Sequence, residues 1–284
     1  MALEEEDRLQ RRIQEIADEA GPRALAVALY DYESRAAWDF HGERWFHAAS
    51  TIKVPVLVGV MGAVERGELQ LESRVHVRNR FISVADGEAF RVESSRDANA
   101  AVQAAIGKTM KVEELCFHMI VTSSNLATNL LFGLIGLDKL NDGLRELEVE
   151  GIELMRGVED EAAFAQGLNN RVTALGLLQV LRLIEEGRAF SVTASAKMLE
   201  IMHEQEFRSG IPAGVPDDAK VANKTGEIST IAHDAAIVYP RGRKPYAIVV
   251  LTEWEPKDGG RSQTIKRISR AVYDHLTAAG GADA

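Results

Sequence analysis

Cysteine is nearly absent from this chain of 284 residues: Cys116 stands alone. No intramolecular disulfide can form, and no cysteine-rich zinc site exists. The run around it, Leu115-Cys116-Phe117-His118-Met119-Ile120, is apolar enough to bury the thiol as a small hydrophobe. Positive charge is scarce as well. Lys and Arg number 33 against 43 Asp and Glu, a formal net charge of −10. A phosphate backbone would be repelled, so nucleic acid is not an expected partner. The densest basic stretch, Arg241-Gly242-Arg243-Lys244-Pro245, reads as a solvated turn between strands. No run approaches the roughly 20 apolar residues of a membrane span. The first residues, Met1-Ala2-Leu3-Glu4-Glu5-Glu6-Asp7, are acidic where an export leader is basic, and no apolar core follows them. The expectation is a soluble, unexported protein, or an exported one trimmed of its leader. No G-x-S-x-G, H-E-x-x-H, Walker or dinucleotide pattern occurs, so neither a metal nor a cofactor is expected. Repeats and low-complexity segments are missing too.

What is present is ordinary globular composition, 46% apolar and 27% charged. The length suits one large domain or two interleaved lobes. Leu9, Ile13, Ile16, Ala17 and Ala20 recur at helical spacing. Strand-like runs follow at 23–32 and 38–46, and a helix opens near Ser50 and stops before Gly67. Helical stretches then cover 111–134, with a break near 122–125, and 137–147, 173–186 and 193–203. The tail is β-rich at 220–225, 234–239 and 246–252, and 265–276 closes as a helix. Strands thus occupy both ends and helices the middle. The fold class expected is α/β of the α+β kind, an antiparallel sheet flanked by the terminal helices plus an inserted all-helical lobe. Residues 1–284 would be a single domain, with 1–48 and 205–284 forming one lobe and 49–204 the other. A crevice between the lobes is the natural ligand site.

Three short patterns carry chemistry. Ser50-Thr51-Ile52-Lys53 is the one place where a serine precedes a lysine by three residues. On a helix that spacing puts both on one face. A serine hydroxyl needs a neighbouring base to become a nucleophile, and lysine serves only if burial or a nearby cation lowers its pKa. Ser123-Ser124-Asn125 offers a second hydroxyl for proton transfer and an amide to orient a substrate. Lys224-Thr225-Gly226 offers a cation and a hydroxyl for a carboxylate, beside a glycine that admits close backbone approach. Alone, the first two are weak, since helix caps and turns use the same residues, and the third is the sharpest.

In order, however, S-x-x-K, S-x-N and K-T-G resemble the motif set of class A β-lactamases and penicillin-binding proteins. The segments 47–53 and 119–129 and the C-terminal helix are similar to that family too, so the resemblance covers nearly the whole chain. It implies a serine hydrolase that opens β-lactam rings, with Ser50 attacking, Lys53 beside it and Ser123 relaying a proton to the leaving nitrogen. Asn125 would hold the substrate side-chain amide, and Lys224, Thr225 and Gly226 the carboxylate. The backbone N–H groups of Ser50 and Glu227 would form the oxyanion hole. The substrate implied is a small β-lactam or an acyl-peptide.

Two departures from the family pattern stand out. Ser124 occupies the place of an aspartate, a position that penicillin-binding proteins commonly vary. The family's water-activating glutamate is also not where a Leu168-Asn169 alignment puts it, because Ala165 stands there; aligning on Arg156 offers Glu159 instead. The loop leaves open Glu159, an acidic solvated loop, or no glutamate. A D-alanyl peptidase or esterase on the same scaffold, and a penicillin-binding protein that stays acylated, are the alternatives. His233-Asp234 reads as structural.

Overall fold

The computed structural model describes residues 2–97, 99–256 and 259–278, with side chains from Asp7 onward. Helix α1 (Ala2–Ala20) leads into β1 (Ala24–Asp31) and β2 (Ala37–Phe40). Six further helices follow in the middle of the chain: α2 (Lys53–Glu65), α3 (Ala100–Ala104), α4 (Val112–Val121), α5 (Asn125–Ile135), α6 (Leu137–Glu146) and α7 (Glu161–Ala165). Then come α8 (Ala174–Glu185) and α9 (Val192–His203). Short strands are interspersed: β3 (Phe46–His47), β4 (Arg74–His76), β5 (Phe81–Ile82), β6 (Ala89–Phe90), β7 (Thr109–Lys111), β8 (Ile152–Glu153) and β9 (Arg171–Val172). The chain closes with β10 (Lys220–Ile228), β11 (Ile231–Tyr239), β12 (Tyr246–Glu253) and α10 (Arg261–Ala278).

The main sheet runs β10-β11-β12-β1-β2, antiparallel throughout. Its strand β1 reads Ala-Leu-Ala-Val-Ala-Leu because both faces are buried. Ala24, Ala26 and Ala28 face the core shared with the helical middle, whereas Leu25, Val27 and Leu29 face the core made with α1 and α10. Alternate alanines on one face let α8 lie close to the sheet, and the leucines and valine fill the other. Among the described residues no helix is long and apolar enough to cross a membrane.

Several expectations change in detail. Ser50 lies in a 3₁₀ turn, Ala49–Ile52, and the α-helix begins only at Lys53. Pro55 then falls within the first turn of α2, where its missing N–H is harmless. The break expected in the long helical stretch is a non-helical turn at 122–124, between α4 and α5. The third motif does not end its strand: β10 continues through Glu227 to Ile228, and β11 already includes His233 and Asp234. The basic turn is not wholly solvated either. Arg243 turns inward, pairs with Asp31 at the end of β1, and donates to the Leu276 carbonyl at 2.6 Å. That carboxylate, distant in sequence, overrides the turn's local preference for solvent. Cys116 is buried as expected, and burial pushes its thiol up to about 12.

Candidate active site

The edge strand β10 runs alongside the 3₁₀ turn that carries Ser50. Gly226 makes this approach possible: a β-carbon there would come within 3.0 Å of both the Ser50 and Thr51 amide nitrogens. The α4–α5 turn supplies Ser123 and Asn125 opposite. Ser123 itself has φ 58°, a left-handed conformation uncommon for a side-chain-bearing residue.

Lys53 lies at the centre, fully buried. Its Nζ sits 3.0 Å from Ser50 Oγ, 3.0 Å from Ser123 Oγ, 2.7 Å from the Ser123 carbonyl and 2.8 Å from Asn125 Oδ1. Two of these four partners are carbonyl oxygens, which only accept. In its neutral form the amine would give its two N–H bonds to these carbonyls and keep one lone pair, able to accept from one hydroxyl at a time. Burial holds the Lys53 amine well below the usual lysine range, and the charge on Lys224 adds to the effect; Asp97 and Glu159 oppose it. Burial thus moves Lys53 toward the neutral form, which can accept a proton.

Lys224 is equally buried and donates to Ser123 Oγ at 3.1 Å and the Thr225 carbonyl at 2.8 Å. The Ser123 hydroxyl is thus bracketed by two lysines. Burial brings Lys224 down to about 7, against the pull of Asp234. Asp234 is buried on β11, where Thr225 is its cross-strand partner, and it accepts from Ile211 N at 2.8 Å and Asn223 Nδ2 at 3.0 Å. Thr225 is half-buried, and the Glu227 side chain turns outward to Arg261 at 3.0 Å. His233 Nδ1 accepts from Thr252 N, so its proton sits on Nε2 and is donated to the His47 carbonyl at 3.0 Å. That bond ties the sheet to the segment leading into Ser50. Burial keeps this imidazole neutral, down to about 4.

The acidic loop does not simply hang in solvent. Glu159 Oε1 accepts from Asn125 Nδ2 at 2.7 Å and Oε2 from Glu93 N at 3.0 Å. It holds a positive φ of 64°. Two asparagines clamp the loop around it. Asn129 exchanges two 2.7 Å bonds with the Val158 backbone, and Asn170 bonds the backbone of Met155 and Arg156. Asp160 turns the other way, to Ser83 Oγ at 2.8 Å and Val84 N at 3.0 Å. Ala165 lies exposed in α7, leaving Glu159 as the carboxylate this loop brings to Asn125.

The structure therefore brings Ser50, Lys53, Ser123, Asn125 and Lys224 into one hydrogen-bonded group, with Gly226 packed against the Ser50 turn; Thr225 and Glu227 flank Gly226 on β10, the Glu227 side chain facing away. It adds Glu159, and also Asp97, whose carboxylate lies under the second motif. Sequence reading missed Asp97 because no local pattern marks it: it reaches Ser124 across 27 positions of chain. Among the described residues no group of three or more His, Cys, Asp or Glu side chains is arranged to hold a metal ion.

Comparison with known proteins agrees with this geometry. The β-lactamase enzyme family matches residues 8–276. A β-lactamase of Rhodobacter capsulatus is 24% identical over 268 residues, 93% of this chain and 87% of the relative. The crystal structure of a β-lactamase from Xanthomonas campestris pv. campestris is 27% identical with a TM-score of 0.83, covering 96% of this chain and 98% of its own. PBP-A, as a point mutant in an acyl-enzyme complex with penicillin G, shares the fold at 24% identity and a TM-score of 0.82, over 96% of this chain and 97% of that one. Matched almost from end to end, the chain belongs to the β-lactamase enzyme family and is a hydrolase of its serine type.

Proposed function

We propose that this enzyme opens β-lactam rings through an acyl-enzyme on Ser50, and that losing the acyl group is its slow step. The observation that carries the first half is the contact set of Lys53, whose Nζ lies 3.0 Å from Ser50 Oγ while two carbonyl oxygens, at 2.7 and 2.8 Å, are placed to take N–H bonds. In the proposed sequence Ser50 Oγ bonds to the lactam carbonyl carbon as its proton passes to Lys53. The carbonyl oxygen gathers negative charge opposite the amides of Ser50 and Glu227, each such donor being worth roughly 3–4 kcal/mol in comparable enzymes. The ring C–N bond then breaks. Its nitrogen takes the Ser123 proton, and Ser123 is reprotonated from Lys53. Lys224 and Thr225 receive the substrate carboxylate, and Asn125 its side-chain amide.

Glu159 supports the second half. A carboxylate has about four lone-pair sites. Two of those on Glu159 are occupied, by Asn125 and by Glu93 N. It retains room to accept a proton from a water, yet it is also employed in orienting Asn125. Intact-protein mass spectrometry after mixing with a penicillin should show one adduct, on the peptide containing Ser50. An adduct that persists in Ser50→Ala would sink the assignment. A D-Ala-D-Ala peptide and a p-nitrophenyl ester, assayed in parallel, should be turned over more slowly than a β-lactam acylates; faster turnover of either would replace it as the substrate class.

A further inference from the structure

The family's second motif carries an aspartate in its middle place, whereas here that place is Ser124. Ser124 is fully buried and caps α5 by accepting from Ala127 N at 3.1 Å. Its own hydroxyl donates to Asp97 Oδ2 at 3.2 Å. The same carboxylate accepts from Asn125 N at 3.2 Å and Leu126 N at 3.1 Å, the first two amides of α5. Gln103 Nε2 and Asn99 N complete the set at 3.1 and 3.3 Å. All five donors are neutral, and Asp97 is only 9% exposed.

We infer that Asp97 is a positioning residue for acylation, a carboxylate brought in from a separate segment to replace the one the second motif lacks. The inference rests on the reading of Ser50 and Lys53 as the acylating pair. Ser123 and Asn125 supply three of the four atoms around the Lys53 amine. Ser123 does so from a left-handed conformation that its own backbone does not favour. Something must hold that turn. Asp97 fixes its far side through Ser124, Asn125 and Leu126 together, and the negative charge sits well at the start of a helix. The carboxylate also acts on Lys53 directly. The charged groups facing that amine are Lys224, which lowers its proton affinity, and Asp97 and Glu159, which both raise it, Asp97 the more.

Asp97→Asn keeps the size and removes the charge, and it turns an N–H₂ group toward donors that now meet an acceptor. Stopped-flow acylation by a penicillin should slow about ten- to a hundredfold, the usual weight of a charge-assisted hydrogen bond. The acid limb of the acylation pH profile should move to lower pH, because Lys53 loses a neighbour that favours its protonated form. Returning the charge from within the motif tests the idea most directly. Asp97→Asn with Ser124→Asp should recover most of the rate and restore the acid limb, since an N-cap aspartate returns the negative charge to the same helix start and can accept from Leu126 N or Ala127 N. Should Asp97→Asn fail to fold, the double variant is still expected to fold and acylate. A residue that merely stabilised the fold would lower the melting temperature of Asp97→Asn and leave rate and profile unmoved. That result, or a folded double variant no faster than a folded Asp97→Asn, overturns the inference. Absence of any Ser50 adduct in the unaltered enzyme would instead overturn the acylation reading itself.

Discussion

Lys224 shows what burial does to a single side chain. Under the proposed function an ammonium there would meet a substrate carboxylate, yet burial lowers its pKa to about 7. Below that value the group is charged; above it the charge is lost. Lys53 has the opposite requirement, being useful only once its proton has left. The dependence of kcat/KM on pH for a carboxylate-bearing β-lactam should therefore be bell-shaped, with an alkaline limb near 7 in the free enzyme. The two lysines touch one hydroxyl, so the limbs belong to the pair rather than to either alone. Lys224→Arg, which keeps its proton at every relevant pH, should carry the alkaline limb upward by more than about one unit. A limb that stays in place would assign it to another group. Ser50, Lys53 and Lys224 were marked in the sequence by the resemblance that three motifs carry in order, and the structure links their side chains directly or through Ser123. Asp97 was not, because its contribution depends on a turn between distant segments.

At the scale of elements, the loop from Arg156 to Asn170 is what brings the Glu159 carboxylate to Asn125, and under the proposed function it would set how long an acyl group stays. Its shape comes from Asn129 and Asn170, whose amides bond backbone rather than substrate. Spacing along the loop could not choose between Glu159 and Ala165, because the positive φ at Glu159 and the clamp on Val158 set where the carboxylate points. Nitrocefin mixed rapidly with the enzyme should give a burst near one equivalent, followed by a slow steady rate. Glu159→Gln should slow the second phase, by about 10²–10⁴-fold if the carboxylate is the general base, and reduce the burst rate far less. Fast turnover without a burst, indifferent to this substitution, would show that another group deacylates. The long elements were readable from their periodicity. The short ribbons β3 to β9 were not, since two or three residues carry no period and are held in place by the helices around them.

Across the whole molecule, the two ends of the chain are fastened to each other. Arg243, in the turn before β12, grips Asp31 at the end of β1 and a carbonyl of α10, and both side chains of the pair are nearly sealed from water, at 12% and 7% exposure. Arg243→Met takes the cation from a carboxylate that still accepts from Glu33 N, Ser34 N and Ser34 Oγ, so the cost should fall below the roughly 3–5 kcal/mol of a pair whose remaining charge is left without partners. The urea midpoint should fall accordingly. Asp31→Asn combined with Arg243→Met should recover much of the loss; equal loss in both variants would mean that packing, not charge, holds this corner. The overall arrangement was legible because apolar strands at both ends of the chain had to share a sheet. The pairing of Ala24 with Glu253 that results has a consequence on the ribosome. At synthesis speeds of about 5–20 residues per second, β1 waits roughly 10–50 s for β12 to emerge. Through that interval the helical middle leaves the tunnel with no sheet to lie against, and Ser50 has no β10 beside it. The nascent chain would be chemically inert and exposed to chaperones until nearly its last strand is made.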